Sequence, residues 1–194
     1  MQALIVGCLV AGTTMALGAN ALTLDGKPTD PLDRTNAQAV VLVFVTVDCP
    51  ISNRYLPELH RLAARHQTNN AQFWLVYPDP GLSAAEIRRH TNEFRCSLPV
   101  LRDPEHHFVK LAKARVTPEA AVFKDRMLVY HGRIDNRYVS FGKMRPAATE
   151  HDLEQALLAI RSGKQVRSAE TRAIGCYIPE LRSEKTGDAS ARPR

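Results

Sequence analysis

The chain has 194 residues, of which 44% are hydrophobic and 24% charged, a size and composition that fit one compact domain with a tail. The formal net charge is +6, but basic residues are mostly interleaved with acidic ones, and no basic run carries interleaved aromatic residues. Nucleic-acid binding is therefore not expected, and a solvated basic surface is the preferred interpretation. No internal repeat is visible in the sequence.

The first 21 residues carry no charged side chain and end in the A-x-A pattern Ala19-Asn20-Ala21. This pattern predicts a secretory signal peptide over residues 1–21 and export to the periplasm or cell envelope. An uncleaved N-terminal anchor is the first alternative, and a lipoprotein signal at Cys8 is the second. No other stretch is long and apolar enough to span a bilayer, so membrane contact is expected only through an uncleaved N-terminal segment.

The predicted elements follow one another as β-α-β-α-(β)-α-β-β-α. They are a strand at Ala39–Val47, a helix from Pro50 to about His66, a strand at Ala71–Tyr77, a helix capped by Ser83 to about Phe94, a short extended piece at 98–104, a short helix at 105–114, hairpin strands at 119–125 and 127–134, and a helix opened by Thr149 and ended by Gly163. This order predicts an α/β sandwich with a mixed central sheet. We expect a folded domain over residues 22–164 and a tail over 165–194.

A cysteine stands where the first strand passes into the first helix, in the sequence Asp48-Cys49-Pro50. The unpaired N–H groups and the positive dipole end of a helix N-terminus favour a thiolate, which is the nucleophilic form of cysteine. Functional loops of α/β sheets also lie at the carboxyl ends of central strands. We therefore interpret Cys49 as reactive, with a buried structural cysteine as the alternative. Asp48 either opposes the thiolate, relays a proton or caps the helix.

Four features of the sequence point to one group of proteins. They are the apolar strand that ends at Cys49, the C-x-x-C-like run Cys49-Pro50-Ile51-Ser52, the pattern Thr46-x-x-Cys49, and the segment 114–123 with Pro118 before a strand. Together they resemble the thioredoxin-like superfamily, and within it the redoxin group that joins peroxiredoxins to exported thiol–disulfide oxidoreductases. The resemblance covers roughly residues 24–164. Pro118 matches the cis-proline of the superfamily, which lies beside the active cysteine.

The resemblance implies a thioredoxin-like three-layer sandwich and a thiol-dependent oxidoreductase without a cofactor. Its partners would be protein thiols and disulfides or a peroxide, and a partner redox protein would complete the cycle. The sequence departs from the group at three places. Ser52 replaces the second C-x-x-C cysteine, so a mixed disulfide on Cys49 lacks its usual resolving neighbour. Leu42 replaces the proline of the peroxiredoxin motif, and Arg115 is only a weak substitute for the peroxide-stabilising arginine.

Cys176 lies in an apolar island of an otherwise charged tail, in the sequence "AETRAIGCYIPEL" at 169–181. Such a segment predicts a strip that docks on the domain or on a partner. Cys176 is therefore the candidate that resolves the Cys49 intermediate, and an incidental cysteine in an apolar patch is the alternative. Removal of the signal leaves three cysteines, so at least one is free or pairs transiently or with another molecule. Cys96 is expected to pack in the core.

The candidate site thus comprises Cys49, Cys176, Pro118, Thr46 and Ser52. Metal binding is not expected, although thiolate and imidazole groups keep a copper protein as an alternative. The histidines considered are His60, His66, His106, His107 and His131. The segment 131–146 is rich in Arg, Asn, Tyr and Gly and is interpreted as an ordered or semi-ordered loop, either near Cys49 or solvated. The predicted function is an exported thiol–disulfide oxidoreductase, with a peroxide reductase or a non-enzymatic binding module as alternatives.

Overall fold

The computed structural model describes residues 21–33, 36–67 and 71–181. In chain order the elements are β1 (Ala21–Leu22), β2 (Pro28–Thr29), a 3-10 turn (Pro31–Asp33), β3 (Ala39–Phe44), α1 (Pro50–His66), β4 (Ala71–Tyr77), α2 (Ala84–Glu93), β5 (Val100–Arg102), α3 (His107–Ala112), β6 (Val116–Thr117), β7 (Glu119–Lys124), β8 (Met127–Gly132), β9 (Tyr138–Ser140), β10 (Lys143–Met144), α4 (Asp152–Arg161) and β11 (Cys176–Tyr177). The predicted signal segment lies outside the described residues except for Ala21, which pairs with Thr29.

The central sheet has the strand order β2-β1-β5-β4-β3-β7-β8. Strands β3, β4 and β5 run parallel, whereas β7 pairs antiparallel with β3 and β8 antiparallel with β7. Every residue of β3 is buried, as expected for a strand covered on both faces. The sheet is therefore mixed, and the predicted thioredoxin-like sandwich with a mixed central sheet is confirmed.

The helices cover the two faces of this sheet. On one face, side chains of α1, α2 and α4 pack with alternate residues of β3 such as Val41 and Val43. On the other face, Phe108 and Val109 of α3 pack with the remaining residues of β3, including Leu42. Because successive strand residues point to opposite faces, β3 contributes to both halves of the core. Among the described residues, no helix is long and apolar enough to cross a membrane.

Most predicted elements are found close to their expected bounds. The Ser83 side chain and the Glu86 side chain form both hydrogen bonds of the predicted capping box at α2. The last helix is an exception, because Thr149 does not open it and the N-cap is His151. The Thr149 hydroxyl and N–H are instead bonded to the Asn136 side chain, at 2.8 Å and 2.9 Å. This long-range contact removes Thr149 from the helix end.

The segment after α4 lies against the domain in two places. At residues 169–171 it runs beside β8, where the His131 N–H donates to Ala169 O at 2.9 Å and the Thr171 N–H donates to His131 O at 3.1 Å. Farther along the chain, β11 pairs antiparallel with β6. The apolar strip around Cys176 therefore lies on the domain, next to the residues that precede Pro118.

Candidate active site

Cys49 is the N-cap residue of α1. Its backbone is extended, with φ −87° and ψ 110°, and its sulfur accepts a hydrogen bond from the Ser52 N–H at 3.5 Å. Pro50 occupies the first turn, where the missing N–H costs no helical hydrogen bond. The sulfur thus takes the place of the usual hydroxyl or carboxylate cap. The local sequence Cys-Pro explains why the helix begins here and why its N–H groups face the sulfur.

The thiol of Cys49 is fully buried, with 0% of the residue exposed. Burial raises the pKa of this thiol, but hydrogen bonds from the Cys176 thiol and from Ser52 outweigh it, so the pKa lies below its ordinary value. Hydrogen bonds to the charged form favour that form, and here they win over desolvation. The surroundings of Cys49 therefore favour the thiolate form more than burial alone would.

The turn before β7 supplies the second wall of the site. The Thr117–Pro118 peptide bond is cis, and the Cys49 thiol donates a hydrogen bond to Thr117 O at 3.0 Å. Pro118 is buried beside it. The carboxylate of Glu119, only 4% exposed, accepts hydrogen bonds from the N–H groups of Arg115 at 2.8 Å and Val116 at 3.1 Å. Glu119 thereby holds β6 in place, a role the sequence pattern did not indicate.

Cys176 is brought to Cys49 by strand pairing. In the β11–β6 pair, Cys176 stands opposite Thr117 and Tyr177 opposite Val116. The Cys176 thiol donates a hydrogen bond to the Cys49 sulfur at 2.8 Å, and both cysteines are free thiols. Burial and the neighbouring Cys49 raise the pKa of Cys176 to about 12. The low-pKa thiol thus lies against a high-pKa thiol that acts as its donor.

Close backbone contact makes this strand pairing possible. A Cβ atom at Gly175 would lie 2.1 Å from Thr117 O and 2.6 Å from Thr117 C, so a glycine is required at this position. The Thr117 hydroxyl donates to Cys176 O at 3.4 Å. The Ile178 N–H donates to Arg115 O at 3.0 Å. The apolar strip is therefore held as an added strand at the edge of β6.

The tail is also held against the domain before Cys176, at Thr171. Its hydroxyl contacts the Tyr130 hydroxyl at 2.8 Å and accepts the Arg133 N–H at 3.1 Å. A Cβ atom at Gly132 would lie 2.2 Å from Thr171 O, so this glycine allows the tail to approach β8. Two close approaches, one at each end of residues 171–176, bring Cys176 to the site.

The other two predicted site residues have different positions. Ser52 is fully buried in the first turn of α1. Its hydroxyl has no hydrogen-bond partner among the described residues, although it lies close enough to lower the pKa of the Cys49 thiol. Thr46 lies in the loop between β3 and α1 and is partly exposed. Sequence alone predicted five residues, and the structure places Cys49, Ser52, Pro118 and Cys176 together.

A polar chain behind the Cys49 loop was not foreseen from the sequence. The Asn53 side-chain N–H donates to Val47 O at 3.0 Å, and its carbonyl oxygen contacts His90 Nε2 at 2.8 Å. The other nitrogen of His90 contacts the Tyr77 hydroxyl at 2.9 Å. Burial lowers the pKa of His90, which favours a neutral ring. These groups tie the loop before Cys49 to α2 and β4.

Side chains of the segment 131–146 bond to residues on both sides of it in the sequence. The Tyr55 hydroxyl donates to the Asp135 carboxylate, which also accepts the Arg137 N–H at 2.8 Å. Asn136 is 3% exposed and bonds to Thr149. Tyr138 lies against Tyr55, with ring centroids 5.8 Å apart. The segment therefore packs against α1 and forms the short hairpin β9–β10.

The five candidate histidines are distributed over α1, the start of α3 and β8. His60 and His66 are on α1, whereas His106 contacts Pro78 O at 3.0 Å and His107 begins α3. Among the described residues, no group of three or more His, Cys, Asp or Glu side chains is arranged to hold a metal ion. His131 lies 3.8 Å from Glu119 and 3.6 Å from Glu170.

The sequence matches the profile of the AhpC/TSA family over residues 15–132. No match is found among curated proteins. Two of the most similar solved structures are an uncharacterized conserved protein of Geobacillus kaustophilus and a hypothetical protein of Sinorhizobium meliloti. The first is 24% identical, with a TM-score of 0.73, and the match covers 86% of this chain and 90% of that one. The second is 22% identical, with a TM-score of 0.71 and coverage of 84% and 91%.

A third similar structure is a secreted disulfide oxidoreductase of Mycobacterium tuberculosis. It is 18% identical with a TM-score of 0.52, and the match covers 72% of this chain and 93% of that one. At these identities the structural matches establish the fold alone. They agree with the thioredoxin-like fold of this chain.

Proposed function

The chain belongs to the AhpC/TSA family, and we propose that it is a thiol–disulfide oxidoreductase that works through the pair Cys49 and Cys176. The observation that carries the proposal is the contact between the two sulfurs, which lie 2.8 Å apart where the pairing of β11 with β6 brings Cys176 to the N-terminus of α1. Ser52 occupies the position of the usual second cysteine, so Cys176 supplies the second thiol. The lowered pKa of Cys49 and the raised pKa of Cys176 support a nucleophile and a resolving thiol, respectively.

In the proposed cycle the Cys49 thiolate attacks one sulfur of a substrate disulfide. A mixed disulfide forms on Cys49, and the other substrate sulfur leaves as a thiolate. Cys176 then gives its proton to the departing thiolate and attacks the Cys49 sulfur, which releases the second substrate thiol. The substrate gains two electrons, and the protein gains a Cys49–Cys176 disulfide.

Access to Cys49 requires a movement of the tail. The sulfur is fully buried, and β11 covers the edge of β6 beside Pro118. The outer side of β11 faces solvent, since Tyr177 is 85% exposed. We propose that residues 173–178 lift from β6 to admit a polypeptide disulfide, while the contacts at Thr171 remain. The substrate segment would then take the position of β11 next to Pro118.

A disulfide map tests this function directly. The protein is oxidised with a small excess of oxidised glutathione, alkylated at free thiols, digested and analysed by mass spectrometry. We expect a peptide pair joined through Cys49 and Cys176, with Cys96 alkylated. Cys49→Ser and Cys176→Ser variants, treated in the same way, should lack this pair. Recovery of Cys176 as a free thiol in the oxidised wild-type protein would refute the proposal.

Peroxide reduction is a second candidate function. The complete burial of Cys49 favours a small substrate over a polypeptide, because a peroxide needs less displacement of the tail. The Cys49 thiolate would attack one peroxide oxygen, releasing water or alcohol and leaving a sulfenic acid. Cys176 would then displace the hydroxyl as water and form the same disulfide. Turnover of hydrogen peroxide with a dithiol reductant, compared with that of Cys49→Ser, separates the two candidates.

Export is proposed with the function. We propose that residues 1–21 direct the chain to the periplasm or cell envelope, that residues 22–164 form the redoxin domain, and that residues 165–194 form the tail. A disulfide between Cys49 and Cys176 would persist in such an oxidising compartment, and a dithiol reductant would be required to return the pair to its thiols. N-terminal sequencing of the protein from the exported fraction is expected to begin at Leu22, and recovery only from the cytoplasm would contradict the proposal.

A further inference from the structure

The hairpin β9–β10 is separate from the central sheet and exposes apolar side chains. Among the described residues its two strands pair only with each other. Gly142, with φ 78°, lies in the turn between them, next to Phe141. Phe141 is 67% exposed, Val139 43% and Met144 37%. The hairpin thus presents a phenylalanine to solvent at its turn, with further apolar groups on its strands.

Basic side chains without acidic partners gather around this hairpin. The segment 136–149 contains three basic residues and no acidic one. Arg54 of α1 adjoins it, with its guanidinium 3.2 Å from the Met144 sulfur, and Arg172 of the tail lines the same groove as Phe141. The cations that form no ion pair with a described carboxylate are Arg54, Arg137, Lys143, Arg145 and Arg172. The sequence predicts a solvated basic surface, and the fold gathers these five cations from α1, the hairpin and the tail.

The neighbouring carboxylates leave this positive charge uncompensated. Glu170 lies on the tail side of the hairpin and Glu58 on the α1 side, and each pairs with arginines outside the cluster. Asp135 is only 8% exposed, and its carboxylate accepts the Tyr55 hydroxyl and the Arg137 backbone N–H. The surface around the hairpin therefore carries an excess of positive charge, and its electrostatic complement is an anionic surface.

The cations flank the exposed turn on both sides. Arg145 and Arg172 line the groove on the tail side, which has a volume of about 1110 Å³. Arg54 and Arg137 line a cleft of about 380 Å³ on the α1 side. An apolar turn between two sets of cations fits a lipid bilayer, because anionic headgroups surround an inserted side chain in every direction along the surface. Long basic side chains reach such headgroups while apolar side chains enter below them.

We propose that the turn of β9–β10 docks on the surface of an anionic lipid bilayer, with Phe141 in the headgroup region and the five cations at lipid phosphates. Aromatic side chains are enriched at the membrane interface, and each basic side chain near an anionic leaflet strengthens binding within a screening length. One turn with few apolar groups gives reversible contact with the surface. Neither Cys49 nor Cys176 takes part in this contact, so it is independent of the proposed redox function.

Co-sedimentation of the full chain with vesicles tests the charge dependence. Vesicles of equal parts phosphatidylglycerol and phosphatidylcholine are compared with vesicles of phosphatidylcholine alone. Phe141→Ser/Lys143→Glu should lower the affinity for the anionic vesicles by about tenfold or more. Met127→Ser/Lys124→Glu is the matched control, because it makes the same changes at the turn between β7 and β8, where Met127 is 69% exposed. Equal losses of affinity in the two variants would overturn the proposal.

A fluorescence measurement separates the hairpin contact from any lipid contact of the uncharged residues 1–21. Phe141→Trp and Met127→Trp proteins are mixed with vesicles that contain brominated phosphatidylglycerol, which quenches tryptophan on contact. The wild type, whose single tryptophan is Trp74, gives the background. We expect quenching and a blue shift for Phe141→Trp only, and their loss at about 1 M salt, where the screening length is about 3 Å. Equal quenching of both variants would overturn the proposal, and absence of quenching would overturn it in favour of an acidic protein partner.

Discussion

Gly175→Ala tests whether close backbone contact is what brings the two sulfurs together. An alanine Cβ would lie 2.1 Å from Thr117 O, and contacts below 3.0 Å are essentially never observed, so the strip must retreat by about 0.9 Å or more. The atom it meets is backbone and cannot rotate away. Since Cys176 is the next residue, its sulfur moves out of the 2.8 Å contact with Cys49.

The expected size of the effect follows from this displacement. A misplacement of about 1 Å between reacting groups lowers the rate of their reaction by about 10²-fold. Applied to the effective concentration of one thiol toward the other, this raises the reduction potential of the pair by about 60 mV, because a tenfold change corresponds to about 30 mV for two electrons. The pair in Gly175→Ala should therefore be reduced at a glutathione poise that leaves the wild type oxidised.

The assay is a redox titration against reduced and oxidised glutathione, read by alkylation and mass spectrometry. Gly81→Ala is the matched control, because its Cβ would meet only the end of the Asp79 side chain at 3.2 Å. Circular dichroism establishes that each variant folds. An unchanged potential in folded Gly175→Ala protein would refute the argument that strand contact at this residue positions Cys176.

Three further predictions concern the thiolate, the loop behind it and the core. Cys176→Ala removes a hydrogen bond to the Cys49 sulfur, so the pKa of Cys49 should rise. The thiolate absorbance at 240 nm should then appear at higher pH than in the wild type, and a midpoint at or below the wild-type value would contradict this. His90→Phe leaves the Asn53 side chain short of a partner and should lower the free energy of unfolding in urea by about 1–3 kcal/mol, whereas a change below experimental error would argue against a structural role. Leu56→Ala leaves a cavity at a fully buried position and should lower the free energy of unfolding by about 2–5 kcal/mol in the same assay. A loss under about 1 kcal/mol would mean that neighbouring side chains move into the cavity.

Local signals explain which parts of the fold were predictable from sequence. The run 39–47 is apolar on both faces, and Ser83 with Glu86 forms a capping box, so β3 and α2 were found near their expected bounds. Short strands such as β6 and β11 carry no such signal, because two residues have no period. The prediction that Thr149 opens the last helix is wrong, because the Thr149 hydroxyl and N–H bond to the side-chain amide of Asn136, 13 residues earlier.

Some residues of the candidate site were likewise predictable from local sequence, and others were not. The Cys49-Pro50 junction and the segment around Pro118 are read from neighbouring residues, and the resemblance to a known family places them together. The polar chain through Asn53 and His90 was missed, since its members are 37 residues apart and each has an ordinary local sequence. Glu119 was missed for a related reason, because its carboxylate binds backbone N–H groups that any sequence would supply.

The sequence by itself determined that a cysteine stands at the N-terminus of a helix after a buried strand, because strand, helix and cap each depend on neighbouring residues. The apolar strip around Cys176 made that residue a candidate partner, but only the tertiary structure decided that it lies opposite Cys49. Cys176 is 127 positions away, and its approach depends on a glycine at 175 that meets Thr117 and a glycine at 132 that meets Thr171. Such contacts join distant backbone segments, and local periodicity carries no information about them.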